Sequence, residues 1–117
     1  MQIVRVFSGD DGESHFEDVS PEELQTIVGR LGEGDIEFNE RQAPSFSDYH
    51  TAPRRQYVLH LLGTAEYETA DGTKRQLYPG DVLVAEDLNG HGHIARGLGD
   101  GQRFILAIPL AEAYTTL

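Results

Sequence analysis

The sequence of 117 residues contains no cysteine, which excludes a disulfide framework and thiolate chemistry. It also has no apolar run approaching the roughly 20 residues that a membrane-spanning helix requires. The first residues lack the long apolar segment of a signal peptide. We therefore expect a soluble, cytoplasmic protein.

Basic residues are scarce. Nine Lys and Arg stand against 20 Asp and Glu, so the formal net charge is −11. Such a surface repels nucleic acids and anionic membranes, and we expect neither as a partner. The chain also lacks a phosphate-binding glycine loop, a nucleophile elbow and a Cys–His pair. Its length suits one domain over residues 1–117, built around a single core.

One helix is predicted in the first third of the chain. Ser20 is a candidate N-cap, Pro21 suits the first helical position, and Glu23 stands where a capping box needs its carboxylate. An apolar stripe continues at helical spacing, formed by Leu24, Ile27, Val28 and Leu31. Gly32 and Gly34 end the pattern. We expect this helix to cover one side or end of a sheet.

Most of the remaining chain has the composition and alternation of short strands. About eight strands are predicted, at residues 2–7, 36–39, 54–62, 64–69, 74–78, 82–85, 91–98 and 103–109, with a further extended piece at 15–16. Residues 43–48 are predicted as a loop, Gly63 and residues 70–73 as hairpin turns, and residues 99–101 as a turn. Many short strands with a single helix are typical of an all-β sandwich or jelly roll.

Four of the five histidines fall in two clusters. His50 and His60 bracket a β-rich segment that contains Gln56, and alternation places His91 and His93 on one face of a later strand. Imidazole is a ligand for Zn, Fe, Ni and Cu, and an amide oxygen can complete a site as a weak ligand. A metal or polar pocket inside a β-barrel is therefore the first hypothesis.

The segment around these histidines resembles the cupin superfamily, small β-jelly-roll proteins defined by two short motifs separated by a hairpin. In the first motif His50 fits the first histidine, Gln56 stands where the family has glutamate, and Gly63 closes the motif at the right distance. In the second, Gly80 matches the opening glycine, and Gly90 and His93 match a later Gly-x-x-His. The resemblance covers residues 36–110 and implies a cupin jelly-roll barrel with one short N-terminal helix.

The chain departs from the cupin pattern at several positions. Pro44 replaces the opening glycine of the first motif, and Ala52 replaces its second histidine. In the second motif Leu88 stands where the family has proline, Gly97 stands where it has asparagine, and the spacing from the opening glycine is two residues longer. The changes in the first motif remove one strong metal ligand and, with glutamine for glutamate, one negative charge that would offset a divalent cation.

The resemblance implies a metal site inside the barrel. Its ligands would be His50, Gln56 and His93, with His91 or His60 as an added nitrogen, and its metal Fe, Ni, Zn or Mn. In the alternative interpretation, His60 is a satisfied core residue, and His91 faces solvent at the barrel mouth.

If the side chain of Gln56 points inward, strand alternation predicts that four further side chains also point inward, those of Arg54, Val58, His60 and Leu62. An inward Arg54 is a candidate anchor for a carboxylate or phosphate, because its planar fork binds such groups bidentately; in the alternative interpretation Arg54 lies along the barrel rim. His60 and Tyr49 are further candidates for ligand binding, and tyrosines of this segment serve otherwise as packing residues with a hydrated hydroxyl.

Three functions fit these residues. The first is a small metal-dependent enzyme whose ion orients an organic, possibly anionic, substrate as a Lewis acid. The second is a metal-free cupin that binds or senses a small molecule without catalysis. The third is a metal-free enzyme in which His50 or His93 acts as acid or base near neutral pH. We favour the first of these.

Two expectations concern surfaces. In the strand at 36–39, Ile36 and Phe38 are predicted to face the interior, with Glu37 and Asn39 on the other face. The strand Gln2 to Phe7 is predicted as an exposed sheet edge that needs covering, and this predicts a symmetric homodimer.

Overall fold

The structure, a computed structural model, describes residues 1–27 and 32–111 and is all-β with one short helix. The strands are β1 (Ile3–Ser8), β2 (Ser14–Asp18), β3 (Glu37–His50), β4 (Gln56–Leu62), β5 (Thr64–Glu68), β6 (Lys74–Leu77), β7 (Val82–Glu86) and β8 (His93–Pro109), and the helix is α1 (Pro21–Ile27). They form one curled, half-barrel sheet. The prediction of an all-β, jelly-roll-like fold with a single helix is confirmed.

The long strand β8 organises this sheet. One edge of β8 pairs with β4 at residues 104–109 and with β5 at residues 94–98, while its other edge pairs with β3. The full order is β2-β1-β7-β4-β8-β5-β6, with β3 attached to β8. The prediction that residues 64–69 pair back on 54–62 is wrong. Only Gly63, with φ of 82°, separates β4 from β5, and a hairpin needs at least two loop residues.

Two predicted breaks in strands are absent from the fold. The loop predicted at 43–48 is part of β3, and the turn predicted at 99–101 is part of β8. The two strands pair on either side of these segments: Ala43 lies opposite Gly101 and Ser45 opposite Gly97. Residues 98–100 bulge between these positions without a partner on β3, and Gly99 and Gly101 have φ of 76° and 97°, so a local turn of the backbone lies within the long strand.

The sheet has apolar residues on both faces. The concave face carries a cluster of buried residues that includes Val58, Tyr67 and Leu83. The outer face carries a second cluster, in which Leu24 of α1 packs against Ile3, Val19, Val82, Val84 and Leu110. The helix therefore covers one side of the sheet, as predicted.

The capping box of α1 is formed as predicted. The Ser20 and Glu23 side chains each accept a hydrogen bond from the other residue's backbone N–H, both at 3.1 Å. Val28 and Leu31 of the predicted stripe lie outside the described residues. No helix in the described part of the chain has the length and apolar character needed to cross a bilayer.

Several predicted orientations are wrong. Ile36 and Phe38 are exposed, because the side chains of β3 that face the cavity are those of Glu37 and Asn39. Leu62 is also exposed, because a bulge after His60 shifts the register of β4 against β8. The segment from Gln2 to Phe7 is not an edge, since β1 pairs with β2 on one side and with β7 on the other.

A buried ion network links the first strand to the middle of the chain. The carboxylate of Glu86 accepts from Nε of Arg5 with one oxygen and from Nε of Arg55 with the other. Arg55 also donates to the backbone carbonyl of Ala111. The Glu86 and Arg55 side chains are almost fully buried, so their charges are compensated by each other rather than by water.

Removing the charge of Glu86 should therefore destabilise the folded protein. We expect Glu86→Ala to lower the free energy of unfolding by about 3–5 kcal/mol, because it leaves a buried guanidinium without its anion. Urea denaturation measures this. Glu17→Ala is the control, since Glu17 is half-exposed and lies 3.6 Å from Arg5, and it should cost less than about 1 kcal/mol. Equal losses in both variants would contradict a structural role for the buried network.

Candidate functional site

The concave face of the sheet encloses a cavity of about 460 Å³. Its floor is apolar, with Val58, Ala65, Leu83, Ala85, Ile105 and Ala107. Its polar lining consists of Glu37, Asn39, Arg41, Ser45, Ser47, His50, Thr51, Gln56, Tyr67, His93, Arg96 and Arg103. A concave site that combines an apolar floor with convergent polar groups is typical of small-molecule binding.

Two predicted residues, His50 and His93, form an imidazole pair in the cavity wall. They lie directly opposite each other on β3 and β8, and their ring centroids are 4.7 Å apart. Nδ1 of His50 donates to the backbone carbonyl of Asp48 at 2.7 Å, and Nδ1 of His93 donates to a carboxylate oxygen of Asp87 at 2.5 Å. These bonds fix both tautomers and leave each Nε2 with its lone pair available.

Asp87 is a site residue that sequence reasoning missed. It is fully buried, and its second carboxylate oxygen has no hydrogen-bond partner within the part of the chain that the structure describes. A carboxylate that accepts from Nδ1 of a histidine orients the ring and makes Nε2 a better base or ligand. The only signal in the sequence is an acidic residue a few positions before His93.

Gln56 and Arg54, which alternation predicts to face the same cavity, line two different pockets in the structure. Gln56 lines the cavity, and its amide oxygen accepts from Nε of Arg54 at 3.1 Å. Arg54 itself lines a separate pocket of about 330 Å³. The prediction that it faces the main cavity is wrong, because β4 begins at Gln56 and alternation does not extend to the loop before it.

His60 lies in the core. Its Nδ1 donates to the backbone carbonyl of Asp81 at 2.9 Å, and its Nε2 accepts from the hydroxyl of Tyr67 at 2.8 Å. Burial lowers the pKa of His60, and the positive charge of Arg103 acts in the same direction. Burial also raises the pKa of Tyr67 to about 12. Both groups are therefore neutral near pH 7, and Tyr67 is the one that reaches the cavity.

His91 and Tyr49 lie outside the cavity lining. Their rings contact each other at 4.2 Å, and His91 is paired with Glu13 at 3.2 Å near the surface. The prediction that His91 and His93 share one face is wrong. His91 lies in the turn before β8, and Gly92 has φ of 77°, so the alternation of an extended strand does not reach His91.

Arg103 is the second group that sequence reasoning missed. It is 8% exposed and lines the cavity, and its buried Nε has no hydrogen-bond partner in residues 1–27 and 32–111. Two glycines make room for it: a Cβ at Gly63 would lie 2.5 Å from Cγ of Arg103, and one at Gly97 would lie 2.9 Å from Nη1. The signal was an arginine in phase with the inward Ile105 and Ala107 of a largely apolar strand.

A second arginine, Arg41, lies directly across from Arg103 on β3 and lines the same cavity. Like charges in such a cross-strand position repel. The third arginine of the lining, Arg96, differs from them, because it is held by Glu66 and Glu68 at 3.3 and 2.8 Å. The cavity thus has a positive region around Arg41 and Arg103, in addition to the imidazole pair.

Within residues 1–27 and 32–111, no group of three or more His, Cys, Asp or Glu side chains is arranged to hold a metal ion. His50 and His93 offer two nitrogens, so a metal there needs further donors from Gln56 or from a bound ligand.

Comparisons with known proteins leave the family open. No protein-family model matches the chain, and no curated protein matches it. The crystal structure of protein NMB1881 from Neisseria meningitidis is similar over 81% of this chain and 100% of its own, at 14% identity and a TM-score of 0.46. A similarity this low supports no argument about function.

The buried state of His60 predicts a pH dependence of stability. The folded protein holds His60 neutral with a lowered pKa, whereas the unfolded chain takes up the proton near the ordinary value of 6.5. Stability from this group is therefore present above pH 6.5 and lost as the pH falls, by at most about 1.4 kcal/mol per pH unit.

Urea denaturation between pH 8 and pH 5 tests this for the wild type and for His60→Gln. We expect the variant to be less stable at pH 8 and to show a shallower loss on acidification. His15→Gln is the control, because His15 lies near the surface beside Asp11, and its slope should match the wild type. A His60→Gln slope identical to that of the wild type would show that other groups cause the dependence.

Proposed function

We propose that this protein is a cupin-type binding protein for a small organic anion, a carboxylate or a phosphate, which it holds in the cavity. The observation that carries this proposal is Arg103, a guanidinium that is 8% exposed, lines the cavity and has no hydrogen bond or ion pair in the described part of the chain.

A buried hydrogen-bond donor without a partner, such as Nε of Arg103, costs about 1–3 kcal/mol. The protein therefore keeps Arg103 at a cost to stability, which is expected of a binding residue and not of a packing residue. The planar guanidinium binds carboxylate and phosphate groups with two parallel hydrogen bonds. An anion in the cavity would satisfy the donors that the protein leaves unpaired.

The position of Arg41 also favours an anionic ligand. An anion bound between Arg41 and Arg103 would turn the repulsion of this cross-strand pair into two attractions. The volume of about 460 Å³ lies within the roughly 300–1,000 Å³ of small-molecule sites. The serines of β3 that line the cavity, Ser45 and Ser47, add hydroxyl donors beside the arginines.

A variant that removes the charge of Arg103 but keeps its length separates binding from structure. We expect Arg103→Met to raise the free energy of unfolding of the ligand-free protein by about 1 kcal/mol or more, because the unpaired buried cation is gone. In the wild type, at least one of phosphate, malonate and citrate at constant ionic strength should raise the midpoint of thermal unfolding. Arg103→Met should lose this response.

Arg75→Gln is the matched control, since Arg75 is bound to Asp18 outside the cavity, and it should respond to the anions like the wild type. Scanning fluorimetry followed by calorimetric titration measures both effects. The proposal fails if no anion stabilises the wild type, or if Arg103→Met responds as the wild type does.

A metal at the imidazole pair is the second candidate. It is favoured by the orientation of His50 and His93, whose Nδ1 atoms are both engaged, and by the buried Asp87 behind His93. With the amide oxygen of Gln56 as third donor, the set would fit an open site for Fe, Ni, Zn or Mn. The ion would supply Lewis acidity toward the bound anion, which would make the protein an enzyme rather than a carrier.

Elemental analysis of protein purified without a polyhistidine tag or chelator tests the metal. We expect close to one equivalent per chain, lost in His93→Ala, and an affinity weakened by roughly 10–100-fold in Asp87→Asn, which removes the charge that supports the ligand. His91→Ala is the control and should keep its metal, because His91 lies outside the cavity. Protein that takes up none of Fe, Ni, Zn or Mn on dialysis would leave anion binding as a metal-free function.

A further inference from the structure

Two groups suited to an anion converge at one place in the cavity, above Gly97 of β8. Nη1 of Arg103 and Oγ of Ser45 lie 2.9 and 2.6 Å from the point that a Cβ would occupy at Gly97. Oγ of Ser45 accepts from the backbone N–H of Gly97 at 3.1 Å, so the hydroxyl proton is left to be donated. A carboxylate at this position is therefore within reach of a guanidinium and a hydroxyl donor.

The cavity offers acceptors instead of donors at the other end of the same stretch of β8. His50 and His93 both have Nδ1 engaged, and each Nε2 keeps a lone pair. The ring centroids are 4.7 Å apart, so one small group can contact both rings. A ligand group that binds here, unlike the anion, must bring its own N–H or O–H donors.

A buried negative charge lies behind this end of the cavity. The Asp87 carboxylate is fully buried, and among the described residues its one ion-pair partner is His93 and its second oxygen has no hydrogen bond. A buried charge is costly unless an opposite charge compensates it. An ammonium group at the imidazole pair would bring one positive charge and three donors. The imidazole end therefore favours an ammonium over a hydroxyl.

The length of strand between the two ends sets the length of the ligand. Residues 94–98 pair with β5 without a break in register, so this stretch of β8 is extended. Gly97 and His93 are four residues apart, which corresponds to roughly 13 Å. Hydrogen bonds at both ends take up roughly 6 Å of this distance. The rest equals about six bonds of an extended chain.

The middle of this stretch offers contact to an alkyl chain. Ala95 lies midway on β8, with Tyr67 opposite it on β5 and Ser47 opposite it on β3. All three line the cavity. The hydroxyl of Tyr67 donates to Nε2 of His60 and is therefore engaged within the protein. Ala95 and the ring of Tyr67 leave apolar surface for methylene groups.

We propose that the ligand is an elongated amino acid whose carboxylate and terminal ammonium are separated by about six bonds. The carboxylate lies above Gly97, and the ammonium lies at the imidazole pair. This inference rests on the proposed anion site and specifies the group at its opposite end. An ammonium and a metal ion both use the Nε2 lone pairs, so these two occupants of the imidazole pair exclude each other.

Calorimetric titration at constant ionic strength tests the inference. The ligands are ω-amino acids from 4-aminobutanoate to 8-aminooctanoate, each matched by the alkanoate of the same length. We expect the affinity to be highest for 6-aminohexanoate. Hexanoate should bind roughly tenfold or more weakly, because it lacks the charge-assisted hydrogen bonds of the ammonium.

Two variants locate the ammonium. Asp87→Asn removes the buried charge and His50→Leu removes one acceptor, so each should lower the ratio of the two affinities toward one while hexanoate still binds. The His50 side chain is exposed, so His50→Leu gives an answer even where Asp87→Asn fails to fold. His91→Leu is the control, since His91 lies outside the cavity, and it should keep the ratio of the wild type.

Equal affinities for 6-aminohexanoate and hexanoate, or affinities that do not depend on chain length, would overturn the inference and leave the anion site in place. The same holds if phosphate, malonate or citrate stabilises the protein but no ω-amino acid binds. If no anion of any kind binds, the proposed function fails as well. Arg103→Met should bind neither 6-aminohexanoate nor hexanoate, because both depend on the carboxylate end.

Discussion

The structure depends on the pairing of β8 along both of its edges. This strand carries β4 and β5 in line on one edge and the whole of β3 on the other, so the register of β8 decides which residues meet inside the half-barrel. It sets His50 opposite His93 at one position and Arg41 opposite Arg103 at another. The imidazole pair and the arginine pair are therefore two consequences of one strand alignment.

The buried charges differ in whether they have a partner: a paired charge stabilises the fold, and an unpaired one is what we propose for binding. Arg55 and Arg103 are both almost fully buried, but Arg55 donates to the carboxylate of Glu86 and to a backbone carbonyl, while Nε of Arg103 has no hydrogen-bond partner among the described residues. Satisfied buried polar groups fix a fold, and the rare unsatisfied ones require a separate explanation. Arg103 is accordingly the residue on which the proposed anion site rests.

Sequence patterns predicted the local features and failed on the long-range ones. The capping box of Ser20 and Glu23 was found because its partners are three residues apart, and the strands were found because alternation is local. The extension of β3 through Pro44 was missed because its hydrogen bonds come from residues more than 50 positions away. The exposure of Leu62 was missed because one bulge reverses the face that a residue occupies.

The same difference between local and long-range features applies to the candidate site. His50 and His93 were identified by residue type and motif position, and the structure brings them together. Arg54 was predicted as the anchor for an anion because alternation was extended two residues beyond the start of β4 at Gln56, and Arg103 was missed. Sequence alone could not show that Arg103 lacks an acceptor, since that depends on which side chains the fold brings within reach.

β3 supplies the wall of the cavity that carries Arg41 and His50. In the described part of the chain this strand is bonded along one edge only, to β8, and a strand bonded along a single edge is free to fluctuate more than one that is paired on both sides. An anion that draws Arg41 toward Arg103 would order this wall, so part of its binding free energy would be lost as conformational entropy. The order of one strand would in this way set the affinity of the proposed anion site.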